Sequence, residues 1–283
     1  MISVLQLGTI DYVTGLRLQK KLVDLRKEGH IGDVLLLLEH APVITLGRNA
    51  NTKNVLAAPE KLAERGVEVF NCDRGGDVTF HGPGQLVGYP IFHLRGFPSD
   101  DGKRKTLGVI EYVRRLEEVL IRTCADFRIP AERVAGLTGV WTPYGDTSQW
   151  SGKLVGERSG LKNAETRHTK EQAKIAAIGV HISRGVTSHG FALNVNTHLS
   201  FFNLIVPCGI ANKPVTSIEQ EIGHSVPLQE VAHSVARNFG NVFQSQVLWL
   251  ETLESLLGEK VGVPARPPEQ LRQLHRDDET HWA

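Results

Sequence analysis

DVLLLLEH (residues 33–40) and PVITLGR (residues 42–48) decide the fold class. Both runs are short and rich in valine, leucine and isoleucine, and Pro42 divides them, which suits strands buried on both faces. Toward the N-terminus, Val13, Leu16, Leu18, Leu22 and Leu25 recur at helical steps between Tyr12 and Glu28, with Gly29 as a stop, which predicts an amphipathic helix. Toward the C-terminus, Pro59 to Gly66 reads as a short helix with Pro at its start and Gly at its end, and VEVFN (67–71) as a strand. Leu107 to Phe127 reads as a second long helix, with Leu107, Ile110, Leu116, Leu120 and Phe127 on one side and Cys124 in the core. KIAAIGVHI (174–182) and FALNVN (191–196) are strand-like and flank SRGVTSHG (183–190), a candidate hairpin connection. Helices are expected around Leu228 to Phe243 and Leu248 to Leu257, followed from Pro264 by a proline- and charge-rich stretch expected to fray. Strands interleaved with helices, without a regular βαβ repeat, predict an α/β (α+β) fold: a mixed β-sheet with packed helices.

Composition narrows the function. Lysine plus arginine number 32 and aspartate plus glutamate 31, a net charge of only +1, so no sizeable positive excess exists to hold nucleic acid or an anionic membrane. The longest apolar runs, such as Val34 to Leu38, fall far short of the roughly 20 residues of a membrane span. MISVLQLGTIDY has no basic flank and is not rich in arginine and serine, so the chain is read as cytoplasmic. Its 3 cysteines, Cys72, Cys124 and Cys208, form no CxxC pair, which argues against a disulfide framework and a cysteine-based zinc site. The 12 histidines lack metal-ligand spacing, and no metal is expected.

Three segments carry candidate chemistry. CDRGGDVTFHGPGQLVGYP (72–90) crowds Gly75, Gly76, Gly82, Gly84 and Gly88 between strand-like runs, with Arg74, Thr79, His81 and Gln85 as polar groups. Glycine density is what a sharp connection requires, and equally what lets backbone amides approach a ligand. Its order fits neither a P-loop nor GxGxxG opening a helix, which disfavours phosphate and leaves a neutral chain or a carbonyl. IVPCGI sets Cys208 between Pro207 and Gly209, as a rigid loop exposing a thiol would; a free cysteine is also commonly a small buried hydrophobe. A nucleophilic thiol needs a base or cation beside it. His189 in TSHGFALNVN and Lys174 at the start of KIAAIGV are the two candidates, although a lysine ending a buried strand is often a snorkelling surface group.

RGGDVTFHGPGQLVGYP resembles the signature of the lipoate-biosynthesis octanoyltransferases, R-G-G-x-x-T-[aromatic]-H-x-x-G-Q-x-x-x-Y, at every fixed position. TLGR (45–48), KIAAIGVHISRGVTSHGFALNVN (174–196) and PCGI (207–210) agree in order and kind, so the similarity spans about Val4 to Phe243. The resemblance implies a fold like that of biotin and lipoate protein ligases. It implies an acyltransferase that moves octanoyl or lipoyl from acyl carrier protein to one lysine of a lipoyl domain through a cysteine thioester, the first step of endogenous protein lipoylation. The acceptors would be the lipoyl domains of 2-oxoacid dehydrogenase E2 subunits and glycine cleavage H protein. The family's nucleophile falls on Cys208, and the lysine that lowers its pKa falls on Lys174; such a lysine can accept the thiol proton. Its acyl-binding segments fall on Arg74, Gly75, Gly76, Asp77, Val78, Thr79, Phe80 and His81, on Ala177, Ile178 and Gly179, and on Gly190, Phe191 and Ala192. No cofactor is implied.

The related enzymes usually join GVW to KIA by a short connection, whereas here a polar stretch, TPYGDTSQWSGKLVGERSGLKNAETRHTKEQA, separates Trp141 from Lys174. It is expected to be disordered and to sit beside the site. The domain reading is therefore residues 1–245 as one catalytic domain with a polar insertion at about 145–172, and 246–283 as a C-terminal helix and loosely packed extension. An ATP-dependent lipoate or biotin ligase of the same fold would not need Cys208 as nucleophile, a lipoyl amidotransferase would differ in its donor, and a binding module would form no covalent intermediate.

Overall fold

The structure, a computed structural model, describes residues 1–99, 102, 104, 106–144, 171–210 and 213–257. In chain order the elements are β1 (Ile2–Ile10), α1 (Tyr12–Glu28), β2 (Asp33–His40), β3 (Val43–Leu46), α2 (Pro59–Glu64), β4 (Glu68–Asn71), β5 (Val78–His81), β6 (Gln85–Ile91), α3 (Val109–Asp126), β7 (Glu132–Val134), β8 (Leu137–Tyr144), β9 (Glu171–Ser183), β10 (Val186–Asn194), α4 (Ile218–Ile222), α5 (Leu228–Phe243), β11 (Val247–Leu250) and α6 (Leu253–Leu257). Eight strands form a mixed sheet in the order β11-β1-β2-β6-β10-β9-β8-β7, and β4-β3-β5 form a separate three-stranded sheet. The two apolar runs that opened the reading are fully served: β2 runs through the middle of the large sheet, and all four residues of β3 are buried at the centre of the small one.

α1 begins where the Asp11 side chain accepts the Thr14 N–H and ends at Gly29 in the left-handed region, φ 79°. It packs on one face of the large sheet with Leu36, Leu38 and Val87. α3 and α5 cover the opposite face, where Tyr112, Leu116, Val231 and Phe239 meet Val4, Leu35 and Leu193. The small sheet has its own core, in which Ile44, Val78 and Phe80 pack on Phe202 and Leu204.

Two expectations are corrected. The connection between β9 and β10 is only Arg184 and Gly185, with φ 52° and 83°, the pair of positive values a two-residue hairpin turn requires. VTSHG therefore belongs to β10, and Gly190 serves a close approach to the Gly88 carbonyl on β6 instead of a turn. The helix expected over 248–257 is a strand, β11, followed by the short α6. β11 pairs in parallel with β1, Val247 opposite Ile2, so it extends the large sheet beyond residue 245, and Leu253 is buried against the α1 face. Four apolar residues cannot by themselves tell a strand from a helical turn. The insertion reading lies outside the described residues except at 171–172, which open β9, and the extension reading lies outside them from 258 onward.

Candidate active site

One cavity of about 480 Å³, counted with its mouth, lies between the two sheets. Its floor is the part of the large sheet where side chains are smallest: Ala192 pairs with Ala177 and with Val87, and Gly190 pairs with Gly179. Its roof is the segment that leads into β5. The Gly75 N–H donates to the Val180 carbonyl at 3.0 Å, and a Cβ on Gly179 would stand 2.6 Å from the Gly75 oxygen, so the roof crosses β9 at a separation that only glycine permits. β5 alternates: Thr79 and His81 face the cavity, while Val78 and Phe80 face the core of the small sheet, with Phe80 stacked on Phe201. Of the acyl-binding residues read from the resemblance, Val78 and Phe80 are thus not in the lining. The others are, including Asp77, Ile178 and Phe191.

Arg74 is buried, and its guanidinium is paired with no carboxylate among the described residues. It donates to the Thr45 carbonyl (2.7 Å) and hydroxyl (2.9 and 3.1 Å), the Gly75 carbonyl (3.0 Å) and the Asp77 carbonyl (2.7 Å), which fastens the roof to β3. The fork geometry of these bonds is one a lysine cannot reproduce. Arg74→Lys is therefore expected to cost about 3 kcal/mol of stability, because buried carbonyls lose their donors, and a urea midpoint equal to wild type would refute this account.

Cys208 stands at one end of the cavity, at φ 56°, half-buried in a single turn from Pro207 to Gly209. The Val206 N–H donates to the Asn54 carbonyl at 2.7 Å, and Asn54 Nδ2 donates to Asp77 Oδ2 at 2.5 Å, so the loop between β3 and α2 and the residue before β5 hold the cysteine turn. Of the two candidate partners, the structure brings Lys174 to the thiol: Nζ lies 3.3 Å from Sγ and 4.7 Å from the Trp141 ring centroid. The lysine is 6% exposed and therefore not a snorkelling group. Its main chain is fixed on both sides, by its N–H to the Pro214 carbonyl (2.8 Å) and its carbonyl to the Thr216 N–H (2.9 Å). Behind it runs a buried chain of hydrogen bonds: His81 Nδ1 to Gln85 Oε1 (2.8 Å), Gln85 Nε2 to Asn194 Oδ1 (2.8 Å), and Asn194 Nδ2 to the Thr216 carbonyl (2.9 Å).

His189, the other candidate, lines the opposite end of the cavity, where Nε2 donates to Asp73 Oδ1 at 2.7 Å. That bond is the main reason the Asp73 carboxyl is held down to about 2. Tyr12 and Tyr89 complete this end; Tyr12 went unnoticed in the sequence, and Tyr89 figured there only as the last fixed position of the motif, with no role. The Tyr89 hydroxyl donates to His40 Nε2 at 2.6 Å, and burial raises the pKa of both tyrosine hydroxyls well above the ordinary value, so that both keep their protons. Tyr12 is contributed by the first turn of α1, a position that no local pattern links to residues 72–90. Among the described residues, no group of three or more His, Cys, Asp or Glu could hold a metal ion, and no helix is long and apolar enough to cross a membrane.

Fold and site together define a protein of the lipoyl protein ligase A/B catalytic domain family, and the chain belongs to it: the family's model matches residues 11–240. It is 59% identical to an octanoyltransferase of Koribacter versatilis over 98% of both chains. An octanoyltransferase of Acidobacterium capsulatum is 55% identical over 92% of this chain and 97% of the relative. The fold is shared with the bipartite lipoate protein ligase of Thermoplasma acidophilum, at a TM-score of 0.60 and 15% identity over 92% of this chain and 91% of that one. It is shared likewise with a lipoate-protein ligase A bound with ATP, at a TM-score of 0.58 and 15% identity over 93% and 95%.

Proposed function

We propose that this protein is an octanoyltransferase that takes octanoyl, or lipoyl, from acyl carrier protein and delivers it to one lysine of a lipoyl domain through a thioester on Cys208. The acceptors would be lipoyl domains of 2-oxoacid dehydrogenase E2 subunits and glycine cleavage H protein, and the setting cytoplasmic. The observation that carries this reading is the 3.3 Å contact of Lys174 Nζ with Cys208 Sγ at the end of a slot floored by alanine and glycine. The octanoyltransferase names of its relatives supply the acyl group.

The chemistry divides into two half-reactions. Lys174 takes the thiol proton, the Cys208 thiolate attacks the donor thioester carbonyl, and the tetrahedral intermediate collapses with loss of the pantetheine thiolate, which takes the proton back from Lys174. Neutral Lys174 then accepts a proton from the acceptor amine as that nitrogen attacks the Cys208 thioester, and the Cys208 thiolate leaves beside the lysine ammonium. The Trp141 ring under Nζ favours that ammonium while it exists. Burying about six methylenes in the slot is worth on the order of 5 kcal/mol, at roughly 0.8 each.

The test is intact-protein mass spectrometry after mixing with octanoyl-acyl carrier protein in the absence of ATP. A single hydroxylamine-labile octanoyl adduct is expected, discharged by a lipoyl domain and missing from Cys208→Ala. Acylation that requires ATP, or an adduct that persists in Cys208→Ala, would overturn the proposal and favour an adenylate-forming ligase.

A further inference from the structure

We propose that His189 is the end stop of the acyl slot and sets the length of linear acyl chain that Cys208 accepts, an inference that rests on the reading of the cavity as an acyl site. Along β10, Ala192 lies at the level of Cys208 and Lys174, sharing with them the smaller recess that Asn194 and Gln85 close. His189 is three residues further along the strand, and both line the same cavity. At about 3.3 Å per residue the run from Ala192 to His189 is roughly 10 Å. An extended eight-carbon chain with bonds of about 1.5 Å spans roughly 9 Å.

The lining changes character over that distance. Between the two ends the floor is Ala192, Gly190, Ala177 and Gly179, which leave room for methylenes. At the far end the groups are polar and already paired: His189 with Asp73, and the Tyr89 hydroxyl with His40. A chain two or four carbons longer would meet a hydrogen-bonded imidazole and carboxylate there in place of apolar surface, and desolvating polar groups without new partners is unfavourable.

His189 is also held in place more firmly than packing alone requires. It is 4% exposed and adopts φ 55°, a left-handed conformation that a non-glycine residue in a strand occupies only under constraint. Two constraints supply it: the buried Gln19 side chain accepts the His189 N–H at 2.7 Å, and Asp73 accepts from the ring. Cys208, at φ 56°, is fixed in the same region of backbone space at the other end of the slot. The slot is thus bounded at both ends by residues whose backbones are locked. A role for His189 as proton acceptor at the thiol is disfavoured, since Nε2 is occupied by Asp73 and Lys174 already stands at Sγ.

The experiment compares loading of Cys208 from octanoyl- and dodecanoyl-acyl carrier protein by intact mass, for wild type, His189→Gly and His189→Asn. Glycine accepts the positive φ without strain and asparagine tolerates it, so both variants keep the Gln19 contact while shortening the end wall. Thermal melting verifies that each is folded, and the asparagine variant carries the test should the glycine variant fail to fold. Wild type is expected to load octanoyl in preference to dodecanoyl, and the dodecanoyl-to-octanoyl rate ratio is expected to rise at least tenfold in His189→Gly and less in His189→Asn. A ratio within twofold of wild type in a folded variant would overturn the end stop while leaving the thioester reading intact. Failure of wild type to load octanoyl at all would overturn both.

Discussion

Lys174→Met should slow acyl transfer by three to four powers of ten while the protein stays folded. Methionine keeps the length and bulk of the lysine stem beside Gly139 and Trp141 and removes only the ammonium. The main-chain bonds from residue 174 to Pro214 and Thr216 survive, so a melting temperature within a few degrees of wild type is expected. Without a proton acceptor at 3.3 Å, the Cys208 thiol must ionise to solvent, and the acceptor amine must be deprotonated before it attacks. General acid-base assistance is typically worth about 10²–10⁴ per step, and in the proposed mechanism one group serves both half-reactions. The two steps are separable by measurement: single-turnover loading reads the first, and discharge of an isolated acyl-enzyme by a lipoyl domain reads the second. Raising the pH should recover part of the loading rate in Lys174→Met by supplying thiolate, with no comparable recovery in Cys208→Ala. Loading within tenfold of wild type in Lys174→Met would dismiss the lysine as base.

What the sequence made legible, and what it did not, follows the range of each interaction. α1 was readable because its signals are local: an apolar repeat between Tyr12 and Leu25, and Gly29 at the stop. α5 over Leu228–Phe243 was readable for the same reason. The pairing of Lys174 with Cys208 spans 34 residues of chain and depends on the turn at Pro207–Gly209 returning beneath β9, which the resemblance supplied and the local pattern left open between Lys174 and His189. Val78 and Phe80 stand outside the cavity lining because of strand alternation: in β5 every second side chain faces away from the cavity, and a contiguous motif hides that periodicity. Tyr12 was missed, and Tyr89 was seen only as a motif position without a role, because the far end of the cavity is assembled from α1 and β6, elements joined only by tertiary packing.

Acidification should unfold this protein well above the pH at which its carboxylates are protonated. His40 and His81 are buried, and burial is the chief cause that lowers them from 6.5 to about 4 and about 3. For His81 the neighbouring His40 and Arg74 add to the effect. Burial holds each imidazole neutral against the pull of its acceptors: His40 Nδ1 donates to the Ile10 carbonyl at 3.1 Å while Nε2 accepts from Tyr89, and His81 donates from Nδ1 to Gln85. Both groups have a folded value below the unfolded one, so the unfolded chain binds more protons between about pH 4 and 6.5, and stability rises with pH across that window. Above pH 6.5 the two contribute nothing to the slope. At about 1.4 kcal/mol for each tenfold loss of proton affinity on folding, His40 withdraws roughly 3 kcal/mol by pH 4 and His81 a similar amount, together on the order of 6 kcal/mol against a typical total of about 5–15. Asp73 acts lower down, since a carboxyl held at about 2 retains its stabilising pairing until the pH falls through that value, and its exposure keeps the effect small. The expected result is a urea midpoint that is flat from pH 7 to 8 and falls steeply below pH 6.5, with uptake of close to two protons per molecule on unfolding at pH 5. His81→Gln should remove about half of that slope. A midpoint independent of pH between 5 and 7 would mean that the two imidazoles are hydrated or charged in the native state, and their burial as neutral groups would have to be abandoned.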